Sequence, residues 1–190
     1  MMPFNFEKMR IKDAYIIDCF SVGDLRGGFS KIFEKDLFFR NGIEFSVTET
    51  FASVSSKNVI RGLHFQLKNP QAKIVSVISG KAWDVIVDLR KESESYRQWA
   101  AVELSAENHK AVYVPRGFAH GFVSLEDNTT MLYHCDGVYD LETDTGIRFD
   151  DPNIGIKWPI DENVAIHSKR DMNLMSLAEY EVNPMRMVKE

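Results

Sequence analysis

Two histidines sit in contexts suited to proton transfer. His64 lies in the apolar run Val59-Ile60-Arg61-Gly62-Leu63-His64-Phe65-Gln66, and His120 in Val114-Pro115-Arg116-Gly117-Phe118-Ala119-His120-Gly121-Phe122. Imidazole is the side chain that works as a general base near neutral pH. A lysine can stabilise negative charge developing on an oxygen, and a tyrosine can supply or take a proton. Lys73 in Gln71-Ala72-Lys73-Ile74-Val75 and Tyr133 in Met131-Leu132-Tyr133-His134 are candidates for these tasks. Asp171 in Ser168-Lys169-Arg170-Asp171 is the candidate carboxylate. Each has an ordinary structural alternative: a core histidine, a surface strand charge, a barrel-wall aromatic and a helix cap.

Spacing constrains how these groups could meet. Arg61 and His64 are three apart, so a regular strand sends them to opposite faces. They reach one pocket only if Gly62 marks a bulge or kink. Around His120, the spacing Pro-x-Gly-x-x-His suits a turn that delivers a histidine to a strand start. The same spacing is the second motif of cupins, which are small jelly-roll barrels. A metal cupin adds His-x-His and a Glu, whereas His64-Phe65-Gln66 supplies one histidine. Two histidines from different strands, with no obvious carboxylate, make a poor metal site, so no metal is expected.

The elements that must carry these groups read as strands. Val, Ile, Phe and Tyr crowd short runs separated by Gly, Asn, Asp or Pro: Ala14–Phe20, Ser46–Val54, Val59–Gln66, Ala72–Ser79, Lys81–Asp88, Ala100–Leu104, Ala111–Val114 and Thr130–Cys135. Ser79-Gly80-Lys81 predicts a tight hairpin between two of them. Alternation within Lys81–Asp88 gives Trp83, Val85 and Val87 one face, and Ala82, Asp84, Ile86 and Asp88 the other. That mixed face lines a polar pocket in a closed barrel or meets solvent in an open sheet. One short helix is expected over Glu34–Asn41, and another after Asp171. The fold expectation is all-β, a jelly-roll barrel with short peripheral helices, ahead of an immunoglobulin-like sandwich.

Composition bounds the function. The chain has 190 residues, 44% hydrophobic and 27% charged, with a net charge of −5. These values fit one globular domain over 1–190, with the tail from Asn173 onward unassigned. The acidic balance argues against a nucleic-acid partner. No apolar run approaches the roughly 18 residues of a membrane span, and Met1–Lys8 has no signal-peptide core. Cys19 and Cys135 do not make a disulfide framework and suit a reducing compartment. A cytoplasmic setting is therefore expected.

The segments form a recognisable ordered set. Leu25-Arg26-Gly27-Gly28-Phe29, Arg61-Gly62-Leu63-His64-Phe65-Gln66, Trp83-Asp84 through Lys91-Glu92-Ser93 and the His120 segment occur in that order. Asp150-Asp151-Pro152, Ile156-Lys157-Trp158-Pro159 and Ser168-Lys169-Arg170-Asp171 follow. The set, from about Ile11 to Asp171, resembles the dTDP-4-dehydrorhamnose 3,5-epimerase family. The resemblance implies a cupin-type jelly roll, no metal and no organic cofactor, and a nucleotide-diphosphate-linked 4-keto-6-deoxyhexose as substrate. It implies His64 as base, Asp171 as its orienting carboxylate, Lys73 beside the enolate oxygen and Tyr133 as acid. It implies Arg61 and Arg26 on the diphosphate, with His120 and Asp84 in the same pocket. Phe29, Glu49, Ser53 and Gln66 are further binding candidates. A homodimer with exchanged N-terminal strands is implied as well.

Four positions depart from the family's pattern. Lys31 stands where an acidic residue usually reads the base. Glu49-x-Phe51-x-Ser53 replaces Gln-x-Asn-x-Ser, and Val138 replaces a tyrosine next to Tyr139. Charge reversal at a base edge inverts hydrogen-bond polarity, so a nucleotide other than thymidine is an open alternative. Single-site epimerisation, 3,4-ketoisomerisation in a cupin, and non-catalytic sugar-nucleotide binding are the other readings.

Overall fold

The computed structural model describes residues 4–184. Its strands are β1 Asn5–Lys8, β2 Tyr15–Asp18, β3 Phe20–Asp24, β4 Gly27–Lys31, β5 Glu49–Ser55, β6 Ile60–Gln66 and β7 Ala72–Ser79. They continue as β8 Lys81–Asp88, β9 Trp99–Ser105, β10 Lys110–Val114, β11 Phe118–Ser124, β12 Thr129–Asp136 and β13 Asp144–Gly146. Helices α1 Lys35–Arg40, α2 Lys169–Met172 and α3 Leu177–Val182 are short. A six-stranded sheet runs β1-β2-β10-β7-β12-β5 and a five-stranded sheet runs β13-β6-β11-β8-β9, all pairings antiparallel. This is the jelly-roll barrel expected.

The two sheets bury one apolar core between them. Val75, Ile86, Leu104, Val112, Phe122 and Met131 meet there, each nearly inaccessible. Alternation puts the next residues on the outer faces, where they need a second cover. On the six-stranded sheet, α1 supplies Phe38 against Ile17 and Ile74. On the five-stranded sheet, α3 supplies Leu177 and Tyr180 against Leu63, Val85 and Val87. Ser176 and Glu179 form a capping box for α3, and buried Asp151 accepts the Leu177 amide at 2.8 Å. The first part of the tail is thus packed structure. Residues 185–190 of it lie outside the described residues.

The turn at Gly80 is tight, with φ +71, but it is not a hairpin. Strand β7 pairs with β10 and β12, while β8 pairs with β11 and β9, so the turn carries the chain from one sheet to the other. Asp84 and Asp88 do not meet solvent: they are 1% and 0% exposed. Asp88 accepts from Arg90, Ser93 and Ser95 and ties the following loop, whereas Asp84 turns into the barrel. Cys19 and Cys135 are free and buried, and burial pushes their thiols up to about 12 and about 11. No helix of the described residues is long and apolar enough to cross a membrane.

Candidate active site

The site depends on a break in strand alternation. Strand β6 pairs His64 with His120 and Arg61 with Phe122 of β11. Two residues on β6 therefore oppose one on β11, which is a bulge. The extra residue returns Arg61 to the inner face that His64 already occupies. Gly62 makes this close: its φ is +116, and a Cβ there would sit 2.6 Å from the Gly121 Cα. Gly121 is equally confined, since its own Cβ would come 2.6 Å from the Arg61 carbonyl oxygen. Both glycines let two backbones approach where no side chain fits.

Each histidine then meets a carboxylate, which spacing alone did not reveal. His64 Nε2 lies 2.7 Å from Asp171 Oδ1, a contact spanning 107 residues of sequence. Helix α2 presents Asp171 because Ser168 caps it: the Ser168 Oγ accepts the Asp171 amide at 3.0 Å and donates to Oδ2 at 2.9 Å. Burial raises the Asp171 pKa, but the His64 and Ser168 hydrogen bonds outweigh it and hold the group below its ordinary value. An ionised carboxylate only accepts, so Nε2 donates its proton to Oδ1. With Nε2 engaged by Asp171, Nδ1 is the ring nitrogen left to face a ligand.

A second pair lies deeper. His120 Nε2 is 2.7 Å from Asp84 Oδ2, with both side chains almost fully buried. Asp84 Oδ1 has no hydrogen-bond partner among the described residues. Tyr133 meets the His120 ring edge-on at 6.0 Å. Burial pushes the Tyr133 phenol far above its ordinary value; the Ser53 hydroxyl and Arg61 oppose this, and the nearby Asp84 adds to it. Such a phenol keeps its proton at neutral pH and gives it up only to a strong base.

Lys73 reaches the interior from β7, across the barrel from β6. It has no carboxylate within ion-pair distance among the described residues, and burial lowers its pKa below 10.5. A cavity of about 200 Å³ joins His64, Lys73, Gln66, Phe51, Tyr139 and Arg170. Tyr133, His120 and Asp84 form its inner neighbour, connected through Phe51, whose ring lies on Tyr133.

The remaining candidates divide. Arg61 donates to Ser55 Oγ at 3.0 Å and to the Val54 carbonyl at 3.2 Å, beside Tyr133. Ser53 is on the same inner face of β5, its buried Oγ next to the Tyr133 hydroxyl. Glu49 accepts the Tyr139 amide at 2.8 Å, and Gln66 accepts the Asp140 amide at 2.9 Å. Both hold the loop at the cavity mouth, so their polar groups are already engaged. Arg26 and Phe29 are not brought to the cavity within this chain. They belong to the separate β3–β4 ribbon, where Arg26 forks onto Asp24 and Phe29 is 55% exposed. Lys31 pairs with Glu34 before α1, and Val138 is exposed.

Sequence reasoning missed Tyr139, Asp144 and Arg170 as site residues. Tyr139 donates to Asp144 Oδ2 at 2.9 Å, and Arg170 reaches the same oxygen at 2.6 Å. Arg170 was readable as the neighbour of Asp171. Asp144 carried no local signal, because its partners come from elsewhere in the chain.

The comparisons agree with this geometry. Residues 8–179 match the family model described as dTDP-4-dehydrorhamnose 3,5-epimerase. A dTDP-4-dehydrorhamnose 3,5-epimerase of Methanothermobacter thermautotrophicus is 43% identical over 180 residues, covering 94% of this chain and 97% of that one. The crystal structure of dTDP-6-deoxy-D-glucose-3,5-epimerase from Legionella pneumophila, in complex with dTDP-4-keto-L-rhamnose, superposes with a TM-score of 0.90. It is 34% identical and covers 98% of this chain and 100% of its own. A 3'-monoepimerase from Streptomyces bikiniensis, in complex with dTDP-quinovose, gives a TM-score of 0.86 at 31% identity, covering 93% and 89%. With its fold, its paired histidines and almost its whole length accounted for, this chain is an epimerase that belongs to the dTDP-4-dehydrorhamnose 3,5-epimerase family.

Proposed function

We propose that the protein inverts carbons 3 and 5 of a nucleotide-diphosphate-linked 4-keto-6-deoxyhexose. The observation that carries this reading is the His64–Asp171 dyad facing a cavity into which the unpaired Lys73 also points. The ketone acidifies the protons on both adjacent carbons. His64 Nδ1 removes one, the C–H electrons move to the ketone oxygen, and the Lys73 ammonium stabilises the enolate. Tyr133 returns a proton to the opposite face, and its phenolate is reprotonated from solvent. Arg61 holds the diphosphate through its guanidinium fork, beside Ser53 and the His120–Asp84 pair. No metal or organic cofactor enters this scheme. A homodimer completes the site, with the β3–β4 ribbon carrying Arg26 and Phe29 to the partner's cavity.

The test is solvent exchange. Substitution His64→Ala should abolish deuterium uptake from heavy water into the keto sugar while leaving nucleotide binding within about threefold of wild type. Undiminished uptake removes His64 from the reaction. Uptake at carbon 3 alone assigns single-site epimerisation instead.

Thymidine is the first base to expect, since the relatives' names and ligands are thymidine compounds. Lys31 and Val138 favour a second reading, a different base, because a cation and an apolar side chain replace an acid and a tyrosine. Calorimetric titration with dTDP, UDP, CDP and GDP decides it: dTDP binding far more tightly than the others ends the second reading.

A further inference from the structure

Phe51 stands on the inner face of β5, directly opposite Tyr133 of β12 in the register. The two rings stack, with centroids 4.7 Å apart and 16° between their planes. Phe51 is 47% exposed and lines the cavity, while Tyr133 beneath it is only 7% exposed. Phe51 is therefore the layer between the phenol ring and open water. The other ring contact of Tyr133 is His120, edge-on, and His120 is itself fixed by Asp84. The phenol thus has a flat neighbour, an edge-on neighbour and the Ser53 hydroxyl at its oxygen. Strand β5 is the edge of its sheet among the described residues, so no further strand of these stands behind it to hold this contact.

We infer that Phe51 is a positioning residue for the reaction, holding Tyr133 by its stacked ring in the plane from which the proton is returned. The inference rests on the reading of Tyr133 as the acid. Phe51 acts through that ring and takes no proton itself. Removal of a proton belongs to His64 on β6, in the opposite sheet, so loosening Tyr133 leaves that step intact. An enolate not protonated by Tyr133 collapses back by taking a proton from the His64 imidazolium, on the face that lost it. Once the imidazolium N–H has exchanged with heavy water, the proton it returns is a deuteron. The substrate then gains deuterium without inversion.

The experiment follows deuterium in the starting sugar and the appearance of inverted product by NMR, in heavy water. It uses the dTDP-linked 4-keto-6-deoxyhexose with wild type, Phe51→Ala, Phe51→Leu, Phe51→Tyr and Tyr133→Phe. Phe51→Leu keeps apolar bulk without a flat face, so the test survives a poorly folding alanine variant. Loss of the stack is expected to raise the exchange-to-inversion ratio by about five- to tenfold in the alanine and leucine variants, with KM within about twofold. Phe51→Tyr, which can stack, should keep the wild-type ratio. Exchange and inversion falling in proportion in both variants would mean a merely structural role and overturn the inference. If Tyr133→Phe raises the ratio and the Phe51 variants do not, only the inference fails. If Tyr133→Phe also leaves the ratio unchanged, the reading of Tyr133 as the acid fails with it.

Discussion

Lys73 shows at the residue scale how function strains the fold. It lines the barrel cavity half-buried, has no ion-pair partner among the described residues, and is held below its ordinary pKa by desolvation. The folded chain therefore binds this proton less tightly than the unfolded chain does. The resulting penalty is full below the folded pKa and disappears above the unfolded value near 10.5. Substitution Lys73→Met removes the charge and keeps the stem. It should raise stability at neutral pH by about 1 kcal/mol, or about 2–4 °C in melting temperature. Turnover should fall by about 100-fold or more, because the enolate loses its counter-charge. The stability gap between variant and wild type should close as pH climbs toward 10. Melting curves across pH check this, and a wild type more stable than Lys73→Met at neutral pH would show that the charge is satisfied in the fold. At this scale the sequence was informative about residue type and weak about partnership. His64 and Tyr133 were candidates for proton transfer and Lys73 for charge stabilisation by residue type, but type alone left an ordinary structural role open for each, and the family resemblance supplied the assignment. The Asp171 and Asp84 carboxylates could not be matched to their histidines by spacing, because each pair closes over a long stretch of chain.

Strand β6 carries the same logic to the scale of elements. Parity made Arg61 and His64 incompatible on a regular strand, and Gly62 was the one residue between them able to break it. The bulge is where that reasoning placed it. Substitution Gly62→Ala combines a positive φ with a Cβ pressed against the Gly121 backbone, neither of which a rotamer change can relieve. It should destabilise the fold by about 3 kcal/mol and remove activity, as Arg61 and His64 lose their common face. Thermal melting with a turnover assay checks this, and an alanine variant that melts and turns over like wild type contradicts it. Strands β2, β5 to β10 and β12 were legible from β-branched and aromatic runs, as was the short helix before Asn41; β1, β3, β4, β13 and the His120 strand β11, rich in glycine, polar residues or very short, were not. Strand partnership was not. The turn at Gly80 had the right residues for a hairpin, yet turn chemistry does not say which sheet receives the next strand. That choice is made by apolar faces distant in sequence: Val75 and Val77 pack toward Ala82 and Ile86 across the core instead of beside them.

At the scale of the whole molecule, the β3–β4 ribbon is out of place on a single chain. It pairs only with itself, and a two-stranded ribbon is marginal alone in water. It also exposes Val22, Leu25 and Phe29, at 52%, 108% and 55%. An apolar patch on an open strand edge invites a partner. Its strand β4 meets the barrel near His109, through Ser30 Oγ at 3.2 Å, at the end of β10 remote from Lys73. In the proposed dimer, Arg26 would meet the diphosphate in the partner's cavity, since its own ribbon does not reach the cavity of its chain. The native mass should be twice that of the 21.8 kDa chain, by light scattering. Charging the patch with Leu25→Asp and Phe29→Glu should yield monomers with an intact fold and little activity. Complementation separates this from simple damage. Arg26→Ala and His64→Ala homodimers should each be poor catalysts at low substrate. In a mixed dimer, the chain that keeps His64 receives an intact Arg26 from its partner, so one site of two is whole. Random mixing should restore about a quarter of wild-type activity. No recovery on mixing, or a fully active monomer, would place Arg26 outside the partner's site and leave the ribbon's exposure without a role.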